Sequence, residues 1–141
     1  MSIALGVDPF DFVVFGGTGD LAIRKLMPAL QFSECDERLP EGSRIIALGR
    51  RDLSQSDYAA QVRAGCEKHM ADNLFSEENW QAFEKRLSYF KLDIDDSANF
   101  KGLKGALSDD PEKIRVFYLA THSSLFGKIG QGLHDAGAIH D

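Results

Sequence analysis

A glycine-rich segment near the start of the chain carries the clearest chemical signal in the sequence. The residues Gly16–Gly19 separate the apolar run Asp11–Phe15 from a helical stretch that begins at Leu21. Glycines at such a junction allow a tight turn and a close approach of the backbone to a phosphate. The small Ala22 allows the helix to pack close to the strand, and the helix start offers free N–H groups to an anion. The pattern predicts a site for the pyrophosphate of a dinucleotide.

The same segment excludes one kind of phosphate loop and leaves a simpler interpretation open. Residues Gly17–Ala22 fit the spacing G-x-G-x-x-A, and no G-K-[ST] follows them, which excludes a Walker-type loop. The alternative is a glycine-rich strand-to-helix turn that binds nothing. The position between a buried strand and a helix favours the dinucleotide interpretation.

Two arginines indicate which dinucleotide this would be. A site for NAD usually places Asp or Glu at the end of the second strand, where it holds the ribose 2′-hydroxyl. Here the apolar run Arg44–Gly49 is followed by Arg50 and Arg51. A guanidinium holds a 2′-phosphate through two charge-assisted hydrogen bonds, and Thr18 adds a hydroxyl within the loop. The sequence therefore predicts NADP. NAD is a weaker alternative, because the carboxylate of Asp52 follows the arginines. If the segment binds no ligand, the two arginines are simply an exposed pair on the surface.

Four short apolar runs alternate with helical stretches along the chain. Each run is rich in β-branched and aromatic residues, which is typical of a strand buried on both faces of a parallel sheet. The predicted strands are Asp11–Phe15, Arg44–Gly49, Tyr89–Ile94 and Arg115–Ala120. The order β-α-β-α-α-β-α-β-α predicts an α/β fold, a Rossmann-type doubly wound parallel sheet. Such a sheet usually has more than four strands, so we expect residues 1–141 to be one incomplete domain, truncated after its fourth strand.

Apolar stripes and capping residues locate the helices. The first helix is predicted over about Leu21–Glu37, and Pro28 within it predicts a kink or an end near Met27. Ser54 or Ser56 would cap the second helix. The predicted buried stripes are Tyr58, Val62, Cys66 and Met70; Trp80, Phe83 and Leu87; and Leu125, Ile129 and Leu133, with a weaker helix at Asn99–Leu107.

The composition excludes several classes of protein. With 141 residues, 43% of them hydrophobic, the chain is long enough for one core and too short for two ordinary domains. The formal net charge of −6 argues against a nucleic-acid partner. No apolar run can span a membrane and no secretory signal is visible, so we expect a cytoplasmic protein without a membrane partner. Cys35 and Cys66 fit no disulfide framework, and His69, His134 and His140 share no ligand spacing, so we expect no metal.

Three motifs go beyond the generic glycine pattern. The chain has GGTGDLAIRKLMP at Gly16–Pro28, a Gly-Arg pair at Gly49 and Arg50, and YLA at Tyr118–Ala120. These residues resemble the loop G-[AG]-[ST]-G-D-L-A with its later K-L-x-P, the Gly/Ala-Arg pair and the Y-L-[AS] strand of the glucose-6-phosphate dehydrogenase family. The similarity is to the amino-terminal coenzyme domain of that family and covers residues 12 to about 135.

The resemblance implies an activity and a set of contacts. The family oxidises glucose 6-phosphate to the 6-phosphoglucono-lactone with hydride transfer to NADP, the first step of the oxidative pentose phosphate pathway. The loop would then hold the pyrophosphate and the arginines the 2′-phosphate. The residues after the third strand would flank the adenine, and those after the fourth would lie near the nicotinamide. The residues so implied for coenzyme binding are Gly16, Gly17, Thr18, Gly19, Asp20, Leu21, Ala22, Ile23, Arg50, Arg51, Asp93, Ile94, Ala120 and Thr121.

The sequence differs from the family pattern at two positions and lacks two of the family's segments. Ile23 stands where the family usually has Lys, and Ser123 stands where it often has a proline after the fourth strand. The chain contains neither the family's E-K-P segment nor its R-I-D-H-Y segment, which supplies the histidine base.

The absent segments determine what activity is expected of the chain. Oxidation of a sugar hydroxyl needs a base to take the proton. The resemblance implies that the base, the substrate contacts and the α+β catalytic domain lie beyond Asp141, the last residue of the sequence. We therefore expect no catalytic residue in this chain, and an NADP-binding but inactive part of a homo-oligomeric enzyme whose substrate is glucose 6-phosphate.

Two other functions compete with this interpretation. A non-catalytic dinucleotide-binding sensor or regulatory module is the main alternative. An unrelated sugar-nucleotide or short-chain oxidoreductase is the other. The short-chain class needs Tyr-x-x-x-Lys, but Val62, Asp93 and His122 stand four residues after the three tyrosines, which argues against it. His122 is expected to be an ordinary loop residue. The fourth strand is expected to lie at the sheet edge, where an apolar strand invites pairing with another chain.

Overall fold

The computed structural model describes residues 9–35, 38–70, 75–107 and 113–137. The strands are β1 (Phe10–Phe15), β2 (Arg44–Gly49), β3 (Leu87–Lys91) and β4 (Ile114–Leu119). The helices are α1 (Met27–Cys35), α2 (Gln55–His69), α3 (Glu77–Glu84), α4 (Ser97–Ala106) and α5 (Phe126–Asp135). The strands form one parallel sheet in the order β3-β2-β1-β4. This is the strand order of the Rossmann-type fold predicted from the sequence, and that prediction is confirmed.

The register of the sheet brings the ends of three strands together. Phe15, the last residue of β1, lies opposite Leu48 of β2 and Leu119 of β4. Because the strands are parallel, their carboxyl ends lie at one edge of the sheet, which is called the carboxyl edge below. The loops that leave β1, β2 and β4 therefore start side by side, which is where open α/β sheets bind ligands.

Alternate residues of the strands face two separate hydrophobic layers. Val14 and Ala47 belong to the layer that includes buried residues of α2 and α3. Val13 and Phe15 belong to the opposite layer, which includes buried residues of α4 and α5. Because both faces of the sheet are covered, the central strands are apolar at almost every position, as the sequence pattern indicated.

The first helix continues through its proline. Of the kink or end expected near Met27, the end does not occur, because α1 runs on to Cys35. A π-helical turn, Ala22–Leu26, precedes α1, and the Met27 N–H bonds to the carbonyl of Ala22, five residues back. Proline has no N–H and crowds the carbonyl four residues before it. The wider π turn directly before Pro28 relieves that crowding, so the helix does not stop.

The third strand begins and ends earlier than predicted. Leu87 was expected on α3 but is the first residue of β3, opposite Ile45 of β2. The strand ends at Lys91, not at Ile94. The cause is local, because the side chain of Asn99 accepts a hydrogen bond from the Asp93 N–H (3.0 Å) and holds the chain in a turn toward α4.

The second helix agrees with its sequence pattern. Of the two candidate caps, Ser54 is the one used, and its hydroxyl accepts a hydrogen bond from the Asp57 N–H (3.1 Å). The predicted stripe is buried along its whole length and consists of Tyr58, Val62, Cys66 and Met70. Within the described ranges, no helix is long and apolar enough to cross a membrane.

The fourth strand is an outer strand of the described sheet, as predicted. Ile114 is 49% exposed and Val116 39% exposed, so part of β4 is uncovered. Pairing of this strand with another chain remains a prediction.

Candidate coenzyme-binding site

The glycine segment folds back onto the end of the second strand. The N–H groups of Gly16 (3.0 Å) and Gly17 (2.8 Å) both donate to the carbonyl of Leu48, and Gly19 N–H donates to the Gly16 carbonyl (3.0 Å). The loop therefore uses three of its amides to fix its own shape. This holds the loop against the carboxyl edge of the sheet, so that a ligand meets a preformed backbone.

Two of the glycines have no room for a side chain. Gly16 has a φ of +80°, and an added Cβ would lie 2.6 Å from the carbonyl oxygen of Ala120. An added Cβ on Gly17 would lie 2.8 Å from the Cβ of Ala47. The glycines at these positions allow β1, β2 and the end of β4 to approach each other closely, which the sequence pattern predicted only as a tight turn.

The helix that follows the loop presents free amides at its start. The Ile23 N–H donates to the Gly19 carbonyl (3.0 Å) and begins the helical ladder. Within the described part of the chain, the N–H groups of Asp20, Leu21 and Ala22 have no acceptor. Unpaired amides and the positive end of the helix dipole favour an anion at this place.

The side chains around the helix start have distinct surroundings. Asp20 is exposed and forms an ion pair with Arg24 (2.9 Å). Ala22 is fully buried against the sheet, which confirms the close packing expected of a small residue. Ile23, which replaces the lysine usual in the resembled family, is partly buried against the first core layer. An added Cβ on Gly65 of α2 would lie 2.6 Å from the Ile23 carbonyl, so α2 packs tightly at this point.

The loop lies beside the end of β2, where the two arginines follow. An added Cβ on Gly49 would lie 3.2 Å from the hydroxyl oxygen of Thr18, so the threonine sits against the residue that precedes Arg50. Arg50 and Arg51 are exposed, and neither forms an ion pair with another described residue. The carboxyl edge thus carries two unpaired guanidinium groups and the hydroxyl of Thr18. Together these groups are hydrogen-bond donors suited to a phosphate.

The predicted residues after β3 and β4 lie at the same edge. The Leu92 N–H donates to the Gly49 carbonyl (2.8 Å), which brings Asp93 and Ile94 alongside the arginines. Asp93 is held in its turn by Asn99, and Ile94 packs partly against the second core layer. On the other side, the Ala120 N–H donates to the Phe15 carbonyl (2.9 Å).

The hydroxyl group of Thr121 is a further feature that bears on whether the site fits a ligand. Its hydroxyl oxygen is buried and has no hydrogen-bond partner among the described residues. Its methyl group would lie 3.0 Å from a Cβ added to Gly16, so it lines the loop directly. A buried hydroxyl without a partner is unusual in a protein. Together with the free amides of the helix start, it fits a polar ligand that lies along the carboxyl edge.

Two tyrosines that contact the loops were missed at the sequence level. The Tyr58 hydroxyl donates to the Gly17 carbonyl (2.7 Å), and the Tyr89 hydroxyl donates to the Arg51 carbonyl (2.6 Å). Tyr58 was predicted only as part of a core stripe and Tyr89 only as a strand residue. A tyrosine in a buried stripe needs a partner for its hydroxyl. That requirement is the signal that could have directed attention to Tyr58.

The electrostatic environment keeps both phenols protonated. Burial raises the pKa of Tyr58 well above its usual value, and the neighbouring Tyr89 raises it further. Burial also raises the pKa of Tyr89; Arg51 lowers it and Asp52 raises it by smaller amounts. Both hydroxyls are therefore hydrogen-bond donors throughout the neutral pH range.

Other candidate groups have structural contacts. His122 Nδ1 accepts a hydrogen bond from the Ser124 N–H (3.1 Å), so the ring caps the short 3₁₀ turn before α5. Cys66 is fully buried, and burial raises the pKa of its thiol to about 12. The buried Cys66 thiol is therefore not available as a nucleophile, and His122 has a structural contact through Nδ1.

The carboxyl-terminal residues of the sequence lie outside the described ranges. Of the three histidines considered as metal ligands, His140 is not among the described residues, and neither is Asp141. The structure thus does not test the expectation that the family's base and substrate contacts lie beyond Asp141, and this stays a prediction.

The strand order and the glycine turn at the carboxyl edge define a Rossmann-type dinucleotide-binding domain. A family model described as "Glucose-6-phosphate dehydrogenase, NAD binding domain" matches residues 13–141. The chain therefore belongs to this family, and the resemblance seen in the sequence is confirmed. The ligand class of the domain is accordingly a nicotinamide dinucleotide.

Individual relatives agree with the family assignment. The chain is 36% identical over 129 residues to glucose-6-phosphate 1-dehydrogenase of Rhizobium meliloti (strain 1021), covering 92% of this chain and 26% of the relative. It is 37% identical over 137 residues to the protein of the same name from Mycolicibacterium smegmatis, covering 94% and 28%. The chain thus spans about a quarter of the length of these relatives.

Two solved structures share the fold. The crystal structure of glucose-6-phosphate 1-dehydrogenase from Mycobacterium avium superposes with a TM-score of 0.85 at 26% identity, covering 94% of this chain and 28% of that one. A glucose-6-phosphate dehydrogenase in complex with its substrate glucose-6-phosphate gives a TM-score of 0.81 at 25% identity, covering 92% and 28%.

Proposed function

We propose that this chain binds NADP along the carboxyl edge of its sheet, as the coenzyme-binding part of a glucose-6-phosphate dehydrogenase. The observation that carries the choice of NADP is the close approach of the Thr18 hydroxyl to Gly49, the residue directly before the two exposed arginines. A phosphate monoester carries about two negative charges at neutral pH. An exposed guanidinium without an internal partner can bind it at little cost in lost contacts.

Each group of residues has a defined task in this proposal. The free amides of Asp20, Leu21 and Ala22 bind the pyrophosphate, and Gly16–Gly19 let it approach the backbone. Arg50 binds the 2′-phosphate, with Arg51 and Thr18 in support. Asp93 and Ile94 flank the adenine.

The far side of the site receives the nicotinamide part. Ala120 lies there beside Gly16, and the buried Thr121 hydroxyl gains the partner that the described residues do not provide. When bound, NADP supplies the acceptor for a hydride from C1 of glucose 6-phosphate. The residues of this chain orient that acceptor and do not take the proton.

The decisive test replaces Arg50 by alanine and compares two coenzymes. A hydrogen bond to a charged group is worth about 1.5–3 kcal/mol, and 1.4 kcal/mol is tenfold in affinity. We expect Arg50→Ala to weaken NADP binding by roughly 10- to 150-fold. NAD, which lacks the phosphate, should be affected far less. Calorimetric titration of both coenzymes in low-salt buffer measures the NADP/NAD affinity ratio.

Matched variants make the result specific. Lys68→Ala removes an equal charge from the far end of α2 and should leave the ratio unchanged. Arg51→Ala tests the second guanidinium. If Arg50→Ala leaves the ratio unchanged and Arg51→Ala lowers it, Arg51 is the selector. If the unaltered chain binds neither coenzyme, the proposed function is wrong.

The chain by itself is expected to bind coenzyme without oxidising the sugar. Hydride transfer from a hydroxyl requires a base, and the family's R-I-D-H-Y segment does not occur in this sequence. The 141 residues are mixed with glucose 6-phosphate and NADP, and the nicotinamide absorbance is followed. Turnover at an ordinary enzymatic rate would show that this account of the missing base is wrong. Coenzyme binding without turnover would leave a sensor or regulatory module as the competing function.

A further inference from the structure

Two stacked tyrosines lie directly beneath the two loops of the proposed site. Tyr58 comes from α2 and Tyr89 from β3, and their ring centroids are 4.6 Å apart with an interplanar angle of 22°. Tyr58 is fully buried and Tyr89 is 8% exposed. Each ring has a hydroxyl that donates to a different loop, Tyr58 to the Gly17 carbonyl and Tyr89 to the Arg51 carbonyl. The stack therefore bridges the glycine loop and the arginine turn.

We propose that Tyr89, stacked on Tyr58, fixes the position of the arginine turn relative to the glycine loop, and so sets the preference for a 2′-phosphorylated dinucleotide. The inference rests on the proposed NADP site and adds to it one positioning residue that contacts no coenzyme, Tyr89, with Tyr58 as the structural support of both its ring and the glycine loop. Tyr89 acts through the backbone of Arg51, the residue that follows Arg50. Tyr58 acts through Gly17, beside the amides that receive the pyrophosphate.

The surrounding residues are arranged to admit the two hydroxyls. An added Cβ on Gly49 would lie 2.9 Å from the Tyr89 hydroxyl oxygen, and one on Gly17 would lie 3.0 Å from the Tyr58 hydroxyl oxygen. Both glycines therefore leave space through which a phenol reaches a backbone carbonyl. At Gly49 no turn requires glycine, because it is the last residue of a regular strand. The close approach of both Tyr89 and Thr18 accounts for the glycine.

A side chain of α2 holds the tyrosine of β3 in place. The Gln55 amide nitrogen donates to the Leu87 carbonyl (2.8 Å), and its amide oxygen accepts from the Tyr89 N–H (2.9 Å). This clamp ties the start of α2 to β3, the outer strand next to the arginine turn. Gln55 holds the backbone of Tyr89, and Tyr58 stacks on its ring. The Tyr89 hydroxyl therefore cannot move far if the arginine turn shifts.

The distance between the two loops affects binding, because NADP contacts both loops through two phosphate groups. The pyrophosphate and the 2′-phosphate are joined by one ribose and a short linkage, so the two binding loops must hold a set separation to engage both at once. A turn that is free to shift still binds a dinucleotide through the glycine loop but loses part of the 2′-phosphate contact. Tyr89 should therefore govern selectivity, whereas Tyr58 should govern affinity for both coenzymes.

The test removes one hydroxyl at a time and keeps the rings. Tyr89→Phe is expected to lower the NADP/NAD affinity ratio by about 3- to 10-fold, the range that one ordinary hydrogen bond is worth, with NAD affinity close to that of the unaltered chain. Tyr58→Phe is expected to weaken both coenzymes alike and to leave the ratio unchanged. A residue with only a structural role would lower both affinities together, so the ratio distinguishes positioning from general loosening.

Control variants and failure outcomes separate this inference from the proposed function. Tyr118→Phe removes the third phenol of the chain, whose ring stacks on Phe12, and should change neither affinity. If Tyr89→Phe does not fold, Gln55→Ala, which removes the clamp, takes its place with the same expected drop in ratio. If the unaltered chain prefers NADP and Arg50→Ala abolishes that preference while Tyr89→Phe leaves the ratio unchanged, the inference is overturned and the proposed function stands. If the unaltered chain shows no preference for NADP, both are overturned.

Discussion

Charged side chains are paired at the amino edge of the sheet, whereas two arginines are unpaired at its carboxyl edge among the described residues. At the amino edge, where the strands begin, the carboxylate of Asp11 is fully buried and bonds to Arg44 (2.7 and 2.9 Å) and to Lys113 (2.9 Å). At the carboxyl edge, Arg50 and Arg51 are exposed and form no ion pair with the rest of the described chain. The amino edge provides partners for these charges internally, and the carboxyl edge leaves these two arginines for a ligand.

A second arginine at the amino edge strengthens the contrast. Arg86 donates to three backbone carbonyls and pairs with Glu34 (3.1 Å); the carbonyls are those of Leu39, Pro40 and Ser43. Its guanidinium thus supplies hydrogen-bond donors to the carbonyls of the loop before β2. Arginine stabilises the fold where its donors are used internally, and it is available for binding where they are not. The residue type alone does not distinguish these roles.

The largest effect should come from the buried carboxylate. Asp11→Ala removes the carboxylate that pairs with Arg44 and Lys113, and breaking a buried ion pair costs about 3–5 kcal/mol. Because Arg44 still reaches water, we expect the lower end, about 3 kcal/mol, measured by urea unfolding. Glu41→Ala, which removes an exposed carboxylate from the loop before β2, is the control and should have little effect. An Asp11→Ala variant as stable as the Glu41→Ala variant would contradict the structural role of the amino edge.

A smaller effect on stability, and a larger one on binding, is expected at the carboxyl edge. In Gly16→Ala the new Cβ meets the Ala120 carbonyl at 2.6 Å and the backbone keeps a positive φ. Such strain costs about 1–3 kcal/mol. The loop must move, so affinity for NADP and NAD should fall together by more than about tenfold, which is 1.4 kcal/mol. Gly105→Ala is the control, because it faces open space within α4. Equal binding by the two variants would show that the loop tolerates displacement.

Salt should separate the two edges without any mutation. Between about 0.05 M and about 0.5 M salt, the screening of exposed charges increases strongly, whereas buried pairs are screened much less. The affinity for NADP should therefore fall several-fold, the affinity for NAD should fall less, and the melting temperature should change little. Calorimetry and a thermal melt on the same samples provide both measurements. A melting temperature that falls in parallel with NADP affinity would mean that the amino edge is more accessible to solvent than its burial indicates.

The elements that depend on local pattern were predictable from the sequence. The bounds of β2 agree with the prediction because an apolar run lies between a turn and two arginines, and the cap at Ser54 was one of two candidates. The start of β3 was not predicted, because Leu87 continues the apolar spacing of α3. Only its pairing with Ile45 assigns it to the sheet.

The same division holds for the candidate site. The glycine segment and Arg50 could be found because their chemistry is encoded in a few adjacent residues. The tyrosine pair could not, since Tyr58 and Gly17 lie 41 positions apart and Tyr89 and Arg51 lie 38 apart. No periodicity in the chain indicates which buried tyrosine will bond to which carbonyl.

The π turn before α1 links two features of the sequence that would otherwise vary independently. A π turn holds one residue more than an α turn, so the segment Ala22–Leu26 has the form of a one-residue insertion followed by Pro28. Deleting one residue there would restore a regular helix and place the proline ring against a carbonyl. Replacing Pro28 alone would remove the steric crowding that the wide turn relieves. During divergence, the insertion and the proline should therefore be gained or lost as a pair, and a double change should be tolerated where either single change is not.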